Sequence, residues 1–471
     1  MIDGQGLEMT GSAEAVAAYD RAIAHLVRFR PELIDDIAAT LRDPSCAMGA
    51  ILSAYVALLS TEEAPAKRAR AVMTRAAERG ASPVARERAH RAVVERWLAG
   101  DMHRAGALLN RLSVEYPRDL LALYVGHQID FLTGNAPNLR DRVGRVLTQW
   151  GEDDDGFGFL LGMYAFGLEE CNQHERAAEV GLRSLEAHSD DVWGLHAVVH
   201  TDEMRGRAGD GRRFLARRRA EWMGDNFMRV HIAWHDALFA LEGDDAAGAL
   251  SVYDEVLHAP DSADVAFELL DAASLLWRLA LDGVPVGDRW RVLADAWSRV
   301  LVPGYYPFND MHAVMSFIGC GDLAEAKGVV AALEQVAEGG DRSTSGWQMT
   351  ARVGLPVCRS LVSFATGDYA GTLEDLLPIR GWLHEFGGSH AQRDVVERTL
   401  LESAIRAGRA DLARALVSER ISVRQASTYA WSKRAELASL VGDRELVLSA
   451  SVRADVLAAG VRAAAGGLPE G

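Results

Sequence analysis

The sequence predicts an all-α protein, a solenoid of stacked antiparallel helix pairs coiled into a superhelix. Three observations predict it. Helix-favouring Ala, Leu, Arg and Glu dominate, Pro occupies only 13 of 471 positions, and strand-like alternation is hard to find. A chain of this length is also too long for one compact centre, so it needs either several domains or an extended stack. Finally, Gly followed five positions later by a small residue recurs between apolar-periodic helices.

Taken in chain order, the recurring turn appears at Gly100 with Ala105, Asn172 with Ala177, Gly321 with Ala326, Gly367 with Thr372, Gly408 with Ala413 and Gly442 with Val447. The residue opening each turn must accept a left-handed backbone, which Gly and then Asn tolerate best. The residue five positions on lies where the second helix crosses the first, and Ala lets the two backbones approach. Thr372 and Val447 crowd that crossing. Pro117, after Tyr116, stops the second helix of its unit. A helix-turn-helix unit of roughly 34 residues with these demands is the tetratricopeptide (TPR) pattern. It predicts one continuous solenoid over residues 12–460, with flexible ends at 1–11 and 461–471, where small residues and Gly accumulate. First helices are expected from Leu195 to Met204, from Val230 to Leu241 and from Asn309 to Ile318, before turns at Gly206, Gly243 and Gly321.

Charge narrows the partners. Asp and Glu total 67 against 50 Lys and Arg, a formal charge of -17, so a phosphate backbone is repelled at long range and nucleic acid is not an expected partner. Cys46, Cys171, Cys320 and Cys358 are far apart without CxxC spacing, as suits reduced thiols. No stretch has the length and apolarity of a membrane span, and the start lacks a basic, apolar leader, so a cytoplasmic protein without membrane partners is expected. No Walker loop, strand-borne GxGxxG, GxSxG or HExxH occurs, which leaves nucleotide hydrolysis, Rossmann redox chemistry, α/β-hydrolase chemistry and zinc peptidase chemistry without support. The run from Arg212 to Arg219 reads as a solvated helix face, and Glu152 to Gly156 as a loop.

The chemistry-bearing feature is histidine. His196 with His200, and His231 with His235, are i, i+4 pairs, which places both imidazoles of a pair on one helical face. His312 lies beside Asp310, and His390 near Arg393 and Asp394. Paired imidazoles with carboxylates suit a divalent transition metal or a proton-transfer site. Packed histidines bonded to neighbours are the alternative. Because the histidines fall on first helices, which line the inner surface of a TPR superhelix, they are expected to converge there. Trp193, Trp234, Trp277 and Tyr306 would supply apolar walls.

Five segments, HAVVHTDEMRGR from His196, HIAWHDALFALEGD from His231, DAASLLWRLALDGVPVGDRW from Asp271, FNDMHAVM from Phe308 and GGSHAQRDVVERTLL from Gly387, together resemble the tetratricopeptide repeat protein 38-like family over roughly Trp193 to Arg420. The turn in LEGDDAAGAL departs from that family's placement of Gly. The resemblance implies that the motif-bearing positions are His196, His200, Glu203, His231, Trp234, His235, Asp271, Trp277, Arg278, Asp310, His312, Gln392, Arg393 and Asp394.

Two functions are carried forward. In the first, a small polar or anionic molecule occupies the His-rich interior. His200, His235 and His312 act in proton transfer, with Asp310 orienting His312, and His196, His200, His231 and His235 are candidate metal ligands. Trp193, Trp234, Asp271, Trp277, Arg278, Gln392 and Arg393 contact the substrate. In the second, the groove is a scaffold for a peptide or partner helix. An adaptor usually presents Lys, Arg and Asn to an acidic tail, whereas histidine, tryptophan and carboxylate dominate here, which favours the first.

Overall fold

A computed structural model describes residues 1–466. The described chain is helical throughout, and its only β pairing is an isolated bridge between Ile2 and Glu8. Successive helices pack as antiparallel pairs, such as Ala85–Leu98 with Met102–Glu115, Phe157–Glu170 with His174–Ala187, and His390–Arg406 with Ala410–Val423. This is the TPR-like α-solenoid that the sequence predicts.

The turn register holds at the opening residue of all six recurring turns. Gly100, Asn172, Gly321, Gly367, Gly408 and Gly442 all adopt positive φ. Ala105, Ala177, Ala326 and Ala413 are fully buried at the crossings. Leucine at Ala105 or Ala413 overpacks a closed crossing, and a urea melt is expected to show a loss of about 1–3 kcal/mol. Unchanged stability would mean that the crossing lies elsewhere. One turn differs from expectation: Gly243 has φ −84°, and the left-handed residue is Asp244, one position on.

The superhelix is closed, not an open groove. The Phe227 amide donates to the Phe29 carbonyl at 2.8 Å, the Tyr306 hydroxyl to the Leu132 carbonyl at 3.0 Å, and Asn309 Nδ2 to the Thr61 carbonyl at 3.0 Å, so early and middle repeats touch. From the other end, His390–Arg406 packs on Ala266–Leu281 and Val192–Met204. The first helix Val192–Met204 is therefore covered on nearly all sides. In Val192–Met204 every residue but Glu203 is buried. It carries no solvent stripe because it has no solvent face.

The ends also differ from expectation. Residues 1–11 are packed: Met9 is buried, and Asp3 accepts from Arg86 Nη1 at 2.6 Å. The last helix, Arg444–Gly466, continues past residue 460 and lies against Ala208–Arg217. The remainder of the expected tail, 467–471, lies outside the described residues.

Candidate functional site

The two histidine pairs meet. His196 and His200 project from Val192–Met204, and His231 and His235 from Arg229–Glu242, and all four rings are buried. One ring nitrogen from each lies within 4.8 Å of the others. His231 Nε2 is 3.0 Å from His196 Nε2, and the His200 and His235 ring centroids are 4.5 Å apart.

Three carboxylates back these rings. His231 Nδ1 is 2.7 Å from Asp271 Oδ2, on Ala266–Leu281. His235 Nδ1 is 2.7 Å from Glu203 Oε2, and His200 Nδ1 is 3.5 Å from Glu169 Oε2, at the end of Phe157–Glu170. At His231 and His235 the carboxylate on Nδ1 fixes the tautomer and leaves Nε2 for whatever the rings share, whereas His200 Nδ1 makes no hydrogen bond. The Nε2 atoms of His200 and His235 and the Nδ1 of His196 have no hydrogen-bond partner in the protein.

Electrostatics follow from burial. Burial, then the neighbouring imidazoles, holds His196 well below the usual imidazole range. Burial and His235 do the same to His200, and burial, His231 and the Arg278 guanidinium to His235. Burial, with Glu170 and Glu203 nearby, pushes Glu169 well above the ordinary carboxylate range, and burial raises Glu203 as well. Trp234 stacks on His231 with centroids 5.4 Å apart, and the Arg278 guanidinium lies over the Trp234 ring at 5.4 Å. Burial lowers Arg278 to about 9. Its guanidinium donates to the Ser274 carbonyl at 3.0 Å and the Ala391 carbonyl at 2.8 Å, while its Nε has no partner. Trp193 borders His196 at 5.1 Å and donates through Nε1 to His127 Nε2 at 3.1 Å.

The remaining expected site residues are elsewhere. His312 is not in the four-histidine group: its Nδ1 is 2.7 Å from the Phe308 carbonyl one turn earlier in its own helix, and burial pushes it down to about 3. Asp310 does not orient His312, because its carboxyl accepts from the Gly304 amide at 3.1 Å. Residues two apart on a helix point about 200° apart, to opposite sides, which explains the separation. Trp277 Nε1 donates to Thr399 Oγ1 at 3.0 Å, away from the histidines. Gln392 closes a capping box, its Oε1 accepting from the Ser389 amide at 3.0 Å. Arg393 pairs with Glu170 at 3.3 Å, and Asp394 is gripped by Arg398 at 3.0 Å and Arg420 at 2.7 Å. Burial alone would raise Asp394, but Arg420, Arg424 and Arg398 hold it well below its ordinary value.

Sequence reasoning missed Glu169, Glu170, His127 and His174. The available signal was a charged pair at the end of the otherwise apolar run FGFLLGMYAFGLEE. Glu169 lies between the histidine core and a polar cavity of about 830 Å³ lined by His174, His390, Arg393 and Arg424 among others. Its two oxygens are 3.5 Å from His200 Nδ1 and 3.9 Å from His174 Nδ1, and neither has a hydrogen-bond partner. Glu169, Glu170 and His390 also form a second, smaller cluster of possible ligands.

No family model matches the chain. Among solved structures, a monomeric mutant of IFIT1 with Gppp-AAAA aligns over 95% of this chain and 96% of that one at 11% identity, with a TM-score of 0.40. The TPR domain of P58(IPK) aligns over 81% and 96% at 12% identity and 0.21. A circular tandem repeat protein with novel repeat topology aligns over 89% and 96% at 16% identity and 0.15. Among the described residues, no helix is long and apolar enough to cross a membrane.

Proposed function

We propose that the chain is a metal-dependent, small-molecule-binding protein, an enzyme whose centre is one divalent transition ion held by His196, His200, His231 and His235. The observation that carries this reading is the convergence of four buried imidazoles, two of them, His231 and His235, hydrogen-bonded through Nδ1 to a carboxylate. Imidazole donors select zinc, copper, nickel or cobalt over magnesium and calcium. Ligand nitrogens around a tetrahedral zinc lie roughly 3.3–3.4 Å apart, so donors already within 4.8 Å need only a modest contraction. Charge supports the same ion. Glu169, Glu203 and Asp271 bring three carboxylates to a buried cluster, and a divalent cation would favour and balance their ionised forms.

Such an ion supplies Lewis acidity and lowers the pKa of bound water. The chain's own groups would orient the imidazoles through Asp271, Glu203 and Glu169, exclude bulk water with Trp193 and Trp234, and move a proton between His200 and the polar cavity by way of Glu169 and His174. Arg393 and Arg424 in that cavity suit a small anionic substrate. A peptide scaffold is less well supported at the histidine core, because Val192–Met204 there is covered by the chain itself. We also propose kinship with the tetratricopeptide repeat protein 38-like proteins, on the five segments above, two of which carry the four histidines.

Metal analysis of the dialysed chain tests the reading, with cobalt(II) titration of apo-protein as a second readout. One ion per chain and the visible absorption of four-nitrogen cobalt are expected. His200→Ala and His235→Ala should each abolish both while leaving the apo melting temperature nearly unchanged. Asp271→Asn should weaken cobalt binding about 10- to 100-fold. Absence of metal, no cobalt spectrum and early unfolding of both alanine variants would make these histidines structural.

A further inference from the structure

A second cavity, of about 400 Å³, lies on the opposite chemical footing to the polar one. Phe29, Phe131, Phe267 and Tyr306 wall it, where the first helix pair meets the middle of the superhelix. It borders the histidine core through a single layer of rings: Phe267 is 5.8 Å from His231, and Phe29 stacks on Trp193 at 5.5 Å and 11°. Its charged lining is wholly acidic, consisting of Glu62 and Glu268, and no Lys, Arg or His among the described residues lines it. Glu62 accepts from the Ala266 amide at 3.2 Å, whereas Glu268 is only partly exposed and makes no ion pair or hydrogen bond with its side chain among the described residues. Arg229 is near enough to Glu268 to act on it, yet it is not part of the lining. Gln128, 9% exposed, brings a side-chain nitrogen with no partner to the same wall.

We infer that this cavity is a binding site for an amine with an aromatic or alkyl body, whose ammonium group pairs with Glu268 among the ring faces while Gln128 holds a second polar atom of the ligand. Each part of the lining contributes to that choice. Aromatic walls favour an apolar body and attract a cation to their faces, most strongly when it is desolvated. A carboxylate without a direct ion pair is costly in an apolar wall and is relieved by an ammonium group. The same carboxylates repel a fatty acid or any other anion, so the two cavities flanking the histidine core select opposite charges. Burial pushes Glu268 to about 7, and an arriving ammonium group would favour its ionised form. The volume is within the usual range of small-molecule sites.

Isothermal titration of the full chain with three naphthyl probes of one body tests the inference: 2-(2-naphthyl)ethylamine, 2-(2-naphthyl)ethanol and 2-naphthylacetate. The amine should bind tightest and the acetate at least tenfold more weakly. Glu268→Gln should reduce the amine to the level of the alcohol, and Phe267→Ala should weaken all three probes. Glu62→Gln serves as a second charge variant should Glu268→Gln fold poorly. Equal binding of acetate and amine, binding of none of the probes, or an amine preference that survives removal of both carboxylates would each overturn it. None of these readouts depends on the metal, so this site and the histidine centre can fail separately.

Discussion

Asp310→Asn is expected to make this protein more stable at neutral pH, with a gain that grows as the pH rises. Asp310 is wholly buried, and burial pushes its carboxyl up to about 8 against the opposing Gly304 amide. A carboxyl whose folded pKa is raised contributes fully below its unfolded value of about 4, and that contribution is lost as pH climbs from there through the folded value. Asparagine keeps an oxygen for the Gly304 amide and has nothing to ionise in the unfolded chain. The stability difference should be near zero at pH 4 and widen by up to about 1.4 kcal/mol per pH unit until it levels near pH 8. Urea melts of both proteins from pH 4 to 8 measure it. A difference independent of pH would mean that Asp310 is ionised in the folded state. Retention of any ligand turnover in Asp310→Asn would likewise separate this residue from the chemistry that its sequence neighbourhood suggests.

Asp310 also illustrates what is legible in a sequence. Turn chemistry is local, so Gly100, Asn172, Gly321, Gly367, Gly408 and Gly442 could be read from spacing alone. A further local signal went unread: the residue after several of these turns is Asp, and its carboxylate caps the next helix, Asp101 accepting from the Arg104 amide at 3.0 Å and Asp322 from the Glu325 amide at 2.9 Å. The i, i+4 histidine pairs were legible for the same reason, because one helical face is defined within four residues. Their meeting was inferred only from the superhelix, and it holds for four rings. It fails for His312, whose phase on Pro307–Gly319 depends on packing that no local pattern encodes. Trp277 and Arg278 are adjacent in sequence, yet the first reaches Thr399 and the second Trp234, a division set by helical phase between two layers. Glu169 and Glu203 acquire their roles from residues 31 or more positions away, beyond the reach of any motif. Closure of the superhelix was equally hidden, since it rests on contacts such as Asn309 with Thr61 across 248 positions.

Asp119→Ala is expected to cost about 3–5 kcal/mol, because it breaks a buried ionic network and leaves the other charges inside. Asp119 Oδ2 receives Arg86 Nε at 2.6 Å and lies 2.9 Å from His90 Nε2, while Arg86 Nη1 reaches Asp3 at 2.6 Å and Nη2 reaches the Tyr19 hydroxyl at 3.1 Å. Tyr55 completes it, with its hydroxyl 2.9 Å from His90 Nδ1. Burial alone would raise the Asp119 carboxyl, but His90 and Arg86 hold it well below the ordinary range. Its other oxygen accepts from the Ala122 amide at 3.0 Å, capping Leu120–Leu132, so alanine also removes a helix cap. The network fastens Asp3, Tyr19 and Tyr55 to the third helix pair, and the first two pairs also supply Leu26, Phe29 and Val56 to the apolar cavity. Loosening it should therefore release the amino-terminal repeats before the rest, as repeat stacks do when an interface weakens. Urea unfolding of Asp119→Ala should show an early transition absent from the parent, and naphthylethylamine binding should be lost at urea concentrations where cobalt binding persists. Replacing the charges together, as Asp3→Leu, Arg86→Met and Asp119→Leu, should recover a large part of the loss, since no charge is then stranded. A single Asp119→Ala transition coincident with the parent's, at a cost under about 1 kcal/mol, would show that solvent reaches the network and that the first repeats are held by packing alone.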